Sequence, residues 1–118
     1  MALVPRTLEA RGLDATPLIQ ARLRKVGAPD ARGRCTAPDA LVACDLLDII
    51  LRDEIGHVGL GDVWFRRLCG ERNLEPESTY RQLLETFDAP WPQAPLNESA
   101  RLEAGFSRAE LAALAKKV

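Results

Sequence analysis

The sequence predicts an all-α fold, and three observations carry that expectation. Over residues 38–72, Leu47, Ile50, Glu54, His57, Val58, Gly61, Phe65 and Leu68 recur at steps of three and four, the period of a helix face. Aromatic residues make up only 5% of the chain, few for a β-sandwich but sufficient for helices packed through Leu, Ala, Val and Ile. Helix-start signals recur, such as Thr16 before Pro17 and Ser107 before an apolar run.

The elements follow in order. Residues 2–11 read as a helix that ends at Gly12, a residue free to adopt the left-handed conformation of a helix C-terminus. It has no evident N-cap and meets Pro5 at once, so it reads as the end of a longer helix that begins before Met1. A second helix, capped by Thr16 and started by Pro17, carries Leu18, Ile19, Leu23 and Val26 and stops near Gly27. Residues 27–38 are rich in Gly, Pro, Ala and Arg without apolar period and form a loop. The long helix follows, with Asp48/Arg52 and Asp62/Arg66 spaced four apart on faces expected to be wet. Gly56, Gly59 and Gly61 each cost about 1 kcal/mol relative to Ala inside a helix, so their clustering signals close backbone approach or a kink. Beyond Asn73, Tyr80, Leu83, Leu84 and Phe87 mark a short helix opened by Pro76. Residues 89–97, with Pro90, Trp91, Pro92 and Pro95, form an extended strap. Residues 98–104 and 107–117 are two further short helices, broken at Gly105 and Phe106, with Ser107 as N-cap of the second.

Composition excludes several function classes. The 118 residues suit a single domain with a core, and 16 Lys and Arg against 17 Asp and Glu give no electrostatic case for nucleic acid or an anionic membrane. Arg6, Arg11, Arg22, Arg24, Lys25, Arg66 and Arg67 are scattered among acids and read as solvated helical surface. Cys35, Cys44 and Cys69 have neither zinc-knuckle nor C-x-x-C spacing and fit a reducing cytosol. With no signal peptide or membrane-length apolar run, the expectation is a soluble cytoplasmic protein. His57 is the single histidine, and Cys44 and Cys69 lie within the long helix, which disfavours a triad hydrolase. Gly56, Gly59 and Gly61 follow no strand, which disfavours a phosphate-binding loop.

The chemistry-bearing motif is Glu54-Ile55-Gly56-His57, which places a carboxylate and an imidazole three residues apart on one helix face, within reach of a common ion. A carboxylate buried without a partner costs several kcal/mol, so Glu54 in an apolar stripe calls for compensation, which a metal ion would supply. The plainer alternative is that His57 is a hydrogen-bonded core residue and that Glu54 pairs with Arg11 or Arg52. Glu9, taken alone, is most simply an exposed residue. Ferritin-like carboxylate centres take a lone Glu from each of two helices and a Glu-x-x-His from each of the other two, and Glu9 with Glu54 and His57 has the composition of one such half.

Residues 3–14 (LVPRTLEARGLD), residues 49–58 (IILRDEIGHV), Trp64 to Cys69, Asn97 to Arg101 and Ala104-Gly105-Phe106 resemble a bacterial ferritin-like family, domain of unknown function 455. The resemblance leaves out residues 28–43, where the family has a shorter connection. It implies a partial ferritin-like bundle over residues 1–118: the C-terminal helix pair of a four-helix core in residues 1–73, then peripheral short helices and the Pro-rich strap in residues 74–118. It further implies Glu9, Glu54 and His57 as metal ligands, half of the shell for an iron or manganese pair. The other ligands come from helices upstream of Met1. A partner chain supplying those helices, or a homodimer pairing two half-sites about a two-fold axis, would complete the centre. The functional expectation is an oxygen-activating oxidoreductase when the site is completed, with zinc chemically allowed. The alternatives are a non-catalytic helical interaction module or an inactive truncated product.

Overall fold

The computed structural model describes residues 2–116. The helix end expected at Lys117 lies outside those residues. Among the described residues there are helices, turns and coil but no strand, as the sequence predicts for the class. A π-helical turn, Val4–Glu9, runs without a break into α1 (Ala10–Gly27). It is followed by α2 (Pro38–Glu71), α3 (Pro76–Thr86), α4 (Glu98–Glu103) and α5 (Arg108–Ala115).

The α1–α2 pair is antiparallel. Gly61 faces Pro5, Glu54 lies beside Gly12, Gln20 hydrogen-bonds the Cys44 carbonyl and the Asp48 carboxylate, and Gly27 faces Leu41, so partners run in reverse order along α2. Pro5 packs so closely that a Cβ at Gly61 would overlap its ring, and Gly59 faces the Ala104 backbone. The close approach expected from the glycine cluster is found at these two positions, whereas Gly56 faces open space.

The two helices expected before residue 27 are one, and tertiary partners explain why neither breaker breaks it. Gly12 does not terminate the helix; it lies beside the Glu54 side chain, whose Cγ would stand 4.0 Å from a Cβ there, an ordinary contact. Pro17 lacks the N–H that would bond the Leu13 carbonyl, and that carbonyl accepts the Asn97 side-chain amide at 3.0 Å instead. Thr16 is no N-cap: its hydroxyl donates to the Gly12 carbonyl at 2.7 Å within the helix.

The stripe on α2 also divides. Val58, Gly61 and Phe65 are buried as expected and are joined by Cys44, Asp62 and Cys69, while Leu47 is half-buried. Ile50, 55% exposed, and Leu68, 39% exposed, do not belong to the core. They lie on a second apolar face, roughly a third of the way round the helix from the buried one. A three-four pattern spread over both faces looks like one broad stripe in sequence.

The short helices close over one end of the pair, around Arg6. This residue, expected on a solvated surface, is fully buried. Its Nε stands 2.9 Å from Asp62 and one Nη 2.7 Å from Glu110, and its guanidinium lies 4.3 Å from the Phe106 ring centroid and 4.5 Å from that of Tyr80. Asp62, expected on a wet face with Arg66, does pair with Arg66 at 3.0 Å but is itself buried. The Tyr80 hydroxyl donates to the Arg6 carbonyl at 2.9 Å and is 2.8 Å from the Thr7 hydroxyl. Tyr80 thereby ties α3 to the π-helical turn.

A second buried arginine, Arg101, fixes α4 to α1 through a two-pronged pair with Asp14, at 2.9 and 2.5 Å. Ser107 and Glu110 form the capping box of α5, as the sequence predicts for Ser107. Glu110 therefore serves both the helix start and Arg6. Gly105 sits at φ +105 where a Cβ would overlap the Asp62 carboxylate, so both conformation and space require glycine. Along the strap, Trp91 donates its indole N–H to the Leu114 carbonyl at 2.8 Å, tying it to α5.

Candidate metal centre

Helical periodicity places Glu54 and His57 side by side. Three residues apart on α2, they stand 3.6 Å apart, Glu54 Oε2 to His57 Nδ1. That separation is too long for a hydrogen bond. It is nevertheless within the span of a single bridging ion, since two donors each about 2.1 Å from one metal stand at most about 4.2 Å apart. Glu54 lies between the two apolar faces of α2, and His57 lies on the open one, in line with Ile50 and Leu60. Glu54 leans toward α1 and is 26% exposed, whereas His57 lies on the open side and is 68% exposed.

Glu9 ends the π-helical turn and is half-buried. Gly12, one turn further along α1, is the residue beside the Glu54 side chain. Glu9 therefore occupies the inter-helix face of α1 one turn from the level of Glu54. The π register is relevant because an inserted residue rotates the side chains that follow it, and such turns occur frequently at functional sites.

Among the described residues, no group of three or more His, Cys, Asp or Glu side chains converges on one point. The structure thus brings Glu54 and His57 together but does not draw Glu9 into a closed three-ligand set with them. The donor types fit a hard or borderline divalent ion, and the two paired donors leave most of a coordination shell for water or for other chains. The plainer reading of His57 as a core residue is set aside by its exposure.

The densest cluster of charge in the molecule is elsewhere, around Arg6. Burial pushes the Glu110 carboxyl above the usual carboxylate range, with the Arg6 guanidinium pulling the other way, and burial likewise raises the Tyr80 phenol. Sequence reading missed this cluster. One available signal was Asp62 itself, an acid within one residue of Gly61 on the buried stripe, which needed a cation from outside α2.

Among the described residues, no helix is long and apolar enough to cross a membrane. The three cysteines are free, Cys44 and Cys69 buried and Cys35 exposed, so no disulfide joins them.

No solved structure matches the chain. An uncharacterized protein of Haemophilus influenzae is 40% identical over 111 residues, covering 94% of this chain and 34% of that protein. The chain thus spans about a third of the length of the curated relative it matches. The family described as "Protein of unknown function (DUF455)" matches residues 1–112, a span that includes the loop at residues 28–37 and all but the end of α5. On that coverage, the chain belongs to the DUF455 family.

Proposed function

We propose that the chain supplies half of a ferritin-like di-metal carboxylate centre, with Glu9, Glu54 and His57 as ligands for an iron or manganese pair. The observation that carries this reading is the Glu54–His57 pair, a carboxylate and an imidazole 3.6 Å apart beside an apolar helix face open to solvent. Bound there, such a pair of ions supplies activation of oxygen or peroxide, so the completed protein is an oxidoreductase. Glu54 and His57 hold one ion from α2, and Glu9 adds a carboxylate from α1. The half shell of the chain alone binds metal weakly, because water must complete the coordination.

The test is metal content. The chain is dialysed to equilibrium against excess Mn(II), or Fe(II) without oxygen, and the metal it holds above the dialysate is measured by mass spectrometry beside the Glu54→Ala and His57→Ala variants. Both variants are expected to lose the metal that the parent retains. Retention by Glu54→Ala at the parent's stoichiometry would falsify the assignment. A docking module without catalysis is a second reading, favoured by the exposed apolar face of the helix pair.

A further inference from the structure

Helix α2 is apolar on two sides. The buried side packs on α1 and the Arg6 cluster. The other carries Leu46, Ile50, Leu60 and Trp64, which with Asp53 and His57 between them follow steps of four, three, four, three and four, and the four apolar residues are exposed, Leu60 by 61%. The register of α1 adds Leu8 and Ile19 on its own open flank, also exposed. A helix with apolar residues on two sides belongs between two neighbours, and α2 has one long helical neighbour among the described residues.

The shape leads to the same conclusion. The radius of gyration is 17.2 Å, against about 13.5 Å for a compact chain of this length. Its accessible surface is 7678 Å², against about 6,300 Å² for a compact monomer of this mass. The excess, roughly 1,300 Å², exceeds the ~800 Å² that one partner contributes to a standard interface. The curated relative matches over 34% of its length, so about two thirds of that polypeptide folds outside the part represented here.

We infer that the open face of α1 and α2 is the docking surface for an amphipathic helical pair from the remaining two thirds of a full-length family member. The contact is a helix-on-helix seam that buries Leu60 and Trp64, with His57 on the same face one turn before Leu60. The partner's chemistry is set by the face: apolar residues at three-four spacing over about five turns, the length from Leu46 to Trp64. This inference stands without any metal, and Glu54→Ala leaves it intact.

The experiment places a single thiol on the seam. In a Cys35→Ser background, which removes the exposed native thiol, Leu60→Cys is introduced into the chain alone and into a chimera. In the chimera, the full chain replaces the matched third of the Haemophilus influenzae protein. Maleimide labelling is expected to be fast in the chain alone and at least about tenfold slower in the folded chimera, because the site opens only when the docked pair lifts. Fast labelling in a folded chimera overturns the inference. Sedimentation of the chain alone checks the competing occupant: a stable dimer with Leu60→Cys protected assigns the face to a second copy and also overturns it. If the chimera does not fold, the tagged chain is co-expressed with the relative's other two thirds. Capture of that piece, lost in Leu60→Asp, supports the inference, and no capture overturns it.

Discussion

Two regions of the same helix pair treat charge and apolar surface in opposite ways. At the Pro5–Gly61 crossing, Arg6 is wholly buried, neutralised by Asp62 and Glu110 and walled by aromatic rings. Around Glu54 and His57, the carboxylate leans toward α1 and the imidazole faces outward beside Leu60 and Trp64, which are exposed. The first region supplies every compensating charge from its own chain, from α2 and α5. The second presents ligand-type groups and apolar surface that the described residues leave uncovered. A buried ion pair in a finished core serves the fold, whereas a half-exposed carboxylate–imidazole pair beside bare apolar residues serves contacts still to be made.

The sharpest way to break that comparison is Arg6→Met. It leaves buried Asp62 and Glu110 with only the partly exposed Arg66 beside them, and a broken buried pair costs about 3–5 kcal/mol. Urea denaturation followed by circular dichroism measures it, beside Arg67→Met, whose surface pair with Glu71 is worth about 0–1 kcal/mol. Equal effects of the two would mean that the Arg6 cluster does not hold the C-terminal helices on.

Glycines test the closed and open regions at the next level. Gly61→Ala forces a methyl into Pro5 and should destabilise by about 1–3 kcal/mol. Gly56→Ala, facing open space, should stabilise by up to about 1 kcal/mol through helix propensity. Thermal melts of the two variants should therefore shift in opposite directions, and shifts of one sign would place the close approach elsewhere.

Less sensitive is Leu60→Asp in the isolated chain. An exposed position contributes within about 0.5 kcal/mol, so its melting temperature should match the parent's. A large loss would show that Leu60 is already covered, closing the difference between the regions.

The smallest effect is a pH dependence at the start of α3. Glu75 accepts backbone N–H bonds from Ser78 and Glu77, which lower its carboxyl from 4.5 to about 2. The folded value lies below the unfolded one, so the stabilisation is complete above about 4.5 and disappears as pH falls toward about 2. Glu75→Gln should flatten that part of the stability–pH curve, and an unchanged slope would reject the cap as its source.

The sequence by itself determined the class, the long helix to within a residue of its end, the loop before it, the Ser107 cap and the face shared by Glu54 and His57. All of these rest on local periodicity or on hydrogen bonds between residues a few positions apart. Only the tertiary structure decided that residues 4–27 are continuous, because Asn97 satisfies the carbonyl that Pro17 leaves free. It alone decided that Arg6 and Asp62 are buried, since Arg6 is compensated by Asp62, by Glu110 and by rings on α2, α3 and the turn before α5, and Asp62 by Arg6 and Arg66. It also separated the α2 stripe into a buried and an open face. Periodicity records that a helix side is apolar, but which neighbour covers that side depends on residues far away in the chain or on another chain.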